Sequence, residues 1–466
     1  MLEYVRGFGR FQRNARLYLV SNALSGVTVG IILVLYNLYL SALGYGTDFI
    51  GLVLFVGIVG AGIAIFPAGL CIDRYGGKLI LIWASVLISV AGAGQMLFRQ
   101  PLPLLVSVFF AGIGGAFMVV VNAPFLSANS GPAERSLLFS LNVVISLATT
   151  VLGELLGGVL PVWLRAFPQL MVALPGAWSG LLVAQPVARS YQLALLISGL
   201  IAAPSFIPLF LMRADRPQQR EQAQFPTHAA ISLKSVHANL ARLRATDWRA
   251  VLLSPLALMV AIEALLGLGA GLFLPYANLF FVKHLGASSA LFGLIDGSAN
   301  ALNALLTLLA PLLVLRIGKV NTLTFTRLLS LPVMLLMGLT AWLPLAALLY
   351  PLRQGLMDMS EGILQVFSME VVEKPRRGLA NSSYQTAFQG TQALSTPLGG
   401  LIIAHAGYTP VFIAAALLYG VALALLWGSF GRGGRGDEKI EPAAARETTP
   451  AREVATIHDE AAPRIW

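Results

Sequence analysis

Charge is scarce in this 466-residue chain: Asp, Glu, Lys and Arg make up 11% of it, against 57% hydrophobic residues. Soluble domains carry about a quarter charged residues, so a water-soluble enzyme or a nucleic-acid-binding module is excluded. Cysteine occurs once, at Cys71, which rules out an intrachain disulfide and any site built from several thiolates. The five histidines (His228, His237, His284, His405 and His458) fall in loops, tails or span ends, leaving none for a proton relay inside a membrane. The apolar runs hold no phosphate loop, nucleophile–His pair or metal-ligand cluster, so neither a cofactor nor enzymatic chemistry is expected.

Long apolar runs are what the chain has instead. Mean hydropathy is +0.78, and about twenty apolar residues cross a bilayer core of roughly 30 Å. Runs at 17–41, 49–72, 79–98, 103–128, 137–164 and 190–212, then 251–282, 289–315, 321–343, 345–371, 379–403 and 409–430, predict an all-α membrane protein of twelve transmembrane helices. The divisions are a tail 1–16, a six-helix bundle 17–212, a polar linker 213–250, a second bundle 251–430 and a tail 431–466. The first run is too long for a signal peptide and is read as a retained span. The last tail, rich in Gly, Ala, Pro and mixed charge, reads as disordered. Residues 165–189 are nearly apolar enough to cross, but Pro175, Gly176 and Pro186 interrupt them, so an outer hairpin on the membrane surface is expected.

Charge placement sets the orientation. Of the 31 Lys and Arg, only Arg99, Arg165, Arg189 and Lys283 fall on the outer side and Arg353 within a span, leaving 26 at inner loops, tails and span ends. The positive-inside rule then puts both termini in the cytoplasm, in the cell's inner (plasma) membrane. The formal charge of +10 is thereby a matter of topology, with lipid rather than nucleic acid as the partner.

One stretch organises the chain. Gly69-Leu70-Cys71-Ile72-Asp73-Arg74-Tyr75-Gly76-Gly77-Lys78 separates two apolar runs with a tight turn whose charges cannot enter hydrocarbon. It resembles the signature loop between the second and third helices of the major facilitator superfamily, G-x-x-x-D-[RK]-x-G-[RK]-[RK], with Gly77 the one departure. The resemblance implies two pseudo-symmetric six-helix bundles and alternating-access transport. It also implies that Asp73, Arg74 and Lys78, with Gly69 and Gly76, form an inner latch whose charged partners are Glu134 and Arg135. Gly153-Glu154-Leu155-Leu156-Gly157-Gly158 resembles the G-P-x-x-G-G element of superfamily antiporters, with Glu154 in place of the proline. The arginine common early in the antiporters' fourth helix is missing, Val108 standing there.

An internal repeat agrees with two bundles. A shift of 242 places Arg74 and Gly76 on Arg316 and Gly318; a shift of 241 places Asn22, Gly26, Gly30 and Asn37 on Glu263, Gly267, Gly271 and Asn278. The Gly-x-x-x-Gly pairs are expected to be close helix contacts.

Function is sought where charge sits in the membrane, at ~2.5–3.5 kcal/mol per residue. Those residues are Glu154, Glu263, Asp296, Arg353, Asp358 and Glu361. Gln354, Asp358, Glu361 and Gln365 are spaced to share one helical face. Asp296, Asn300, Asn303 and Thr307 form a second such stripe, and Gln385, Gln389, Gln392 and Thr396 a third. With Asn37 and Asn122 these are the candidate cavity-lining residues; the alternative is that the amides bond helix to helix. Adjacent Asp358 and Glu361 do not satisfy each other unless one keeps its proton, so this pair is the expected coupling site, with Glu154 and Glu263 as rivals. Five interior acids against one arginine favour a cationic or neutral small-molecule substrate and protons as the coupling ion. Three functions stand: proton-coupled efflux by a monomer, proton symport or facilitated import, and a non-transporting sensor or scaffold on the same fold.

Overall fold

The computed structural model describes residues 11–172, 180–213, 254–372 and 377–431. The start of the N-terminal tail, nearly all of the expected linker and the C-terminal tail lie outside these residues. The described elements, all helical, are α1 (Arg13–Ala42), α2 (Thr47–Tyr75), α3 (Gly77–Leu97), α4 (Pro101–Ala128), α5 (Pro132–Arg165) and α6 (Pro186–Ala202, carried on to Leu211). The second half has α7 (Pro255–Phe273, carried on to His284), α8 (Ser289–Ile317), α9 (Lys319–Leu339), α10 (Leu343–Asp358, resuming as Glu361–Glu370), α11 (Arg377–Ala406) and α12 (Tyr408–Phe430).

Ten of these helices are long and apolar enough to cross a membrane. The two that fall short are α10 and α11. The first is broken at Met359–Ser360, and the glutamines of the second lower its hydropathy. Both carry stripes of polar residues.

Local chemistry sets the ends. Proline opens α4, α5, α6 and α7 at positions whose N–H would be unsatisfied anyway. Ser254 and Ser288 cap α7 and α8 by accepting from Ala257 N and Leu291 N. Gly76 ends α2 at φ 82°, and Gly318 ends α8 at φ 82°. Only glycine adopts that backbone cheaply, and the two lie one repeat apart.

Packing repeats as well. In the first half α1 lies on α5 and α6, and α2 on α4; in the second α7 lies on α11 and α12, and α8 on α10. The glycine pairs sit at these contacts as expected. A Cβ on Gly30 would overlap the Thr150 carbonyl, and one on Gly267 the Phe388 carbonyl. Between the halves, α2 meets α11 and α5 meets α8.

The described part of 165–189 does not cross the bundle. After α5 one turn forms at Pro168–Met171, and residues 180–185 lead into α6. Arg189, 1% exposed, donates to the carbonyls of Val183 (2.8 Å), Leu170 (3.0 Å), Val172 (2.7 Å) and Ala184 (2.7 Å). Gln192 adds bonds to Leu181 O (2.9 Å) and Met96 O (2.8 Å). The described parts of the expected outer hairpin, 165–172 and 180–189, are thus tied to one another and to the end of α3, and form a cap at this end of the bundle. A desolvated guanidinium needs acceptors, and the cap's own carbonyls supply them.

Candidate functional site

A row of hydrogen bonds joins the halves at one end. Asn37 Nδ2 donates to Pro275 O (2.6 Å), Asn278 Nδ2 to Val34 O (3.0 Å), Thr47 Oγ1 to Gly400 O (2.9 Å) and Ser289 Oγ to Gly158 O (2.9 Å). These residues lie at the end of the bundle that carries the cap. The opposite end holds the Gly76 and Gly318 turns. The hydrogen-bonded seam thus lies on the cap side. Asn37, expected to line a cavity, is buried in this seam.

Just inside the seam, acids from both halves meet. Glu154 on α5 is 2% exposed, and both of its carboxylate oxygens lie within hydrogen-bond distance of Asn300 Nδ2 on α8, at 3.1 and 3.0 Å. Asp296, one turn nearer the cap on α8, accepts from Tyr350 Oη at 2.9 Å and lies within electrostatic reach of Glu154. Gly158 and Gly293 let the two helices approach closely enough for this. Further along α8, Thr307 donates to Asn303 at 3.3 Å, so that stripe runs from the seam toward the opposite end.

The α10 stripe runs across a break in its helix, which stops at Asp358 and restarts at Glu361. Asp358 and Glu361 lie within electrostatic reach of each other, and cations stand beside them. Arg327 on α9, 3% exposed, donates from Nη2 to Glu361 Oε2 at 2.9 Å and from Nε to Ser360 Oγ at 3.2 Å. Glu361 thus has a counter-ion, and Asp358 and Glu263 lie within electrostatic reach of the same guanidinium. The interior holds two arginines rather than one. Arg327, expected among the basic residues of the inner span ends, is the ninth residue of α9 and lies within the span. The buried Thr322, Thr326 and Ser330 beside it are the signal that could have revealed it.

Arg353 is 2% exposed and reaches Tyr419 Oη at 3.4 Å, with its guanidinium 5.8 Å from that ring. Its Nε and the neighbouring Gln354 Oε1 are buried without a hydrogen-bond partner. Gln365, Gln385 and Gln389 are exposed, and Asn122 and Gln392 half-buried.

The latch residues are dispersed. Lys78 bonds to the carbonyls of Phe210 and Met212 at the end of α6. Arg74 stacks over its own neighbour Tyr75 (5.3 Å), and Arg135 turns back to Ser127 O (3.1 Å). Glu134 is half-buried, and a Cβ on Gly69 would meet open space. The expected pairing with Glu134 and Arg135 is not formed among the described residues; the Asp73 side chain lies outside them.

Comparison with known proteins bears on the fold. The sequence model described as Major Facilitator Superfamily matches residues 18–363 and 264–462. A bacterial homologue of the iron transporter ferroportin, solved in an inward-facing state, superposes with a TM-score of 0.66 at 18% identity, over 90% of this chain and 98% of that one. The nucleoside transporter NupG superposes with a TM-score of 0.66 at 12% identity, over 90% and 98%. A bacterial homologue of the human lysosomal transporter Spinster, inward-facing and unoccupied, gives 0.64 at 14% identity, over 89% and 96%. No curated protein sequence matches the chain.

Proposed function

The chain belongs to the major facilitator superfamily, and from that premise we propose a proton-coupled secondary active transporter that exports a small organic solute by alternating access. The observation that carries this reading is the seam: hydrogen bonds between described residues of the two halves gather at or just inside the cap end, while polar stripes run along α8 and α10 toward the other. Rocking of 17–212 against 251–430 would split the seam and close the opposite end. Orientation follows from the basic loops: the end opposite the cap faces the cytoplasm and the cap faces outward, in the inner membrane. A monomer suffices for this cycle.

Protons supply the drive. One charge moving down ~100 mV yields ~2.3 kcal/mol, enough to hold roughly a fiftyfold solute gradient. Interior acids in both halves, Glu154, Glu263, Asp296 and Asp358, give a proton places to sit. Within the spans Arg327 and Arg353 offset part of the acidic charge, leaving a modest acid excess that favours a neutral or cationic solute.

Right-side-out and everted membrane vesicles, loaded with a panel of labelled solutes under an imposed proton gradient, test the reading. Accumulation only when protons leave the solute's destination compartment supports exchange. Uptake in the same direction as the protons would replace export by symport, and absence of flux across the panel would favour the sensor.

A further inference from the structure

Glu154 has a property that no other interior acid shares: it belongs to one half and takes its hydrogen bonds from the other. The bonds from Asn300 tie α5 to α8 at the inner edge of the seam, one turn from where Gly158 meets Ser289. The ionisable group that faces it from α8 is Asp296. Behind Asp296 stand Tyr350 and Arg353 of α10, and α1 meets this turn with the backbone of Gly30. Neither acid has an ion-pair partner, since the ion pairs among the described residues are Lys319–Glu370 and Arg327–Glu361. Closing the seam therefore brings two carboxyl groups of opposite halves within electrostatic reach, with no ion-pair partner for either. Two such groups repel unless one carries a proton.

We propose that Glu154 is the acid through which a proton controls the cap-side seam, closing it against Asp296 when bound and releasing it when lost. This rests on the alternating-access reading above and gives it a location. A proton arriving from the cap side when the seam is open neutralises Glu154, and Asn300 then holds the halves together. Once sealed, Glu154 adjoins the stripe Asn300, Asn303 and Thr307, which leads toward the opposite end. That stripe gives water polar footing along α8 for the proton's departure inward, after which the paired negative charges split the seam again. Glu361, neutralised by Arg327, is not needed for this.

The test needs no solute. In a Cys71→Ser background, Ala290→Cys places a thiol against Gly158 in the seam. A membrane-impermeant maleimide is applied from the cap side to full-length protein in proteoliposomes between about pH 5.5 and 8, and each labelling rate is divided by that of the same thiol in SDS-unfolded protein at the same pH, which cancels the thiol's own titration. In the parent, labelling rises at least fivefold toward alkaline pH. With Glu154→Gln, or independently Asp296→Asn, labelling stays low and flat; with Glu154→Asp the pH response returns. Labelling that remains pH-dependent in both neutral variants overturns the proposal, as does a flat high rate in a variant that elutes and melts like the parent. A parent whose seam never labels at any pH would instead strike at alternating access itself, which separates the two failures.

Discussion

Asn37 and Asn278 each hold the other's helix. The first donates to the Pro275 carbonyl of α7, the second to the Val34 carbonyl of α1, and their side chains stand 3.5 Å apart. They are 241 residues apart, one internal repeat, so the clasp is a self-match of the pseudo-twofold. Asn278→Ala leaves the Val34 carbonyl without this bond and frees one side of the clasp. A net loss of about 1 kcal/mol corresponds to roughly a fivefold shift toward the cap-open state. Spin-label distances across the seam, measured with and without the substitution, should show the longer population grow by that factor.

Arg327 and Glu361 are expected to behave as one unit. Glu361→Gln strands a guanidinium that is 3% exposed, whereas the glutamate itself is 55% exposed. The penalty therefore falls below the ~3–5 kcal/mol of a fully buried pair but remains visible as a lowered Tm in detergent. The double variant Arg327→Gln with Glu361→Gln removes both charges and should melt closer to the parent than either single variant. A double variant less stable than both singles would show that the pair is not a mutual counter-ion.

The cap depends on Arg189. Substitution by Ala leaves four carbonyls (Leu170, Val172, Val183 and Ala184) without their donor, a local cost of about 3 kcal/mol. Hydrogen exchange should rise in residues 180–185 while α7–α12 keep their protection. Arg189→Lys, which cannot span the same fork of acceptors, should fall between the two.

Gly30→Val tests the glycine contacts. The added side chain would drive into the Thr150 carbonyl and the backbone of Gly153, where the atoms cannot yield as a flexible side chain would. A loss of about 1–3 kcal/mol and a reduced yield of monodisperse protein are expected, whereas Gly69→Ala, facing open space, should be neutral.

Much of this architecture is legible in the residues because the bilayer imposes a length and a hydropathy on each crossing. The turn at Gly76 and its partner at Gly318 are visible for a second reason, since both need a backbone that only glycine takes cheaply. The interior acids stand out by cost. Their partners do not. Asn300 lies 146 residues from Glu154, and only the closed seam brings them together. The break in α10 falls at Met359–Ser360 without a proline to mark it, so helical spacing carried the Asp358–Glu361 face past the point where the helix stops. Arg327 hid for the opposite reason: grouped with the ordinary basic residues of the inner span ends, it draws no notice.

The cap has no counterpart in the second half, where α11 passes to α12 through Gly407 alone, at φ 79°. One bundle thus presents a folded platform and the other a bare turn. An antibody fragment gripping the platform alone would travel as a passenger with its bundle and leave the motion free. One whose footprint also reached Gly407 would act as a splint, trapping whichever posture it met and giving a handle for imaging it.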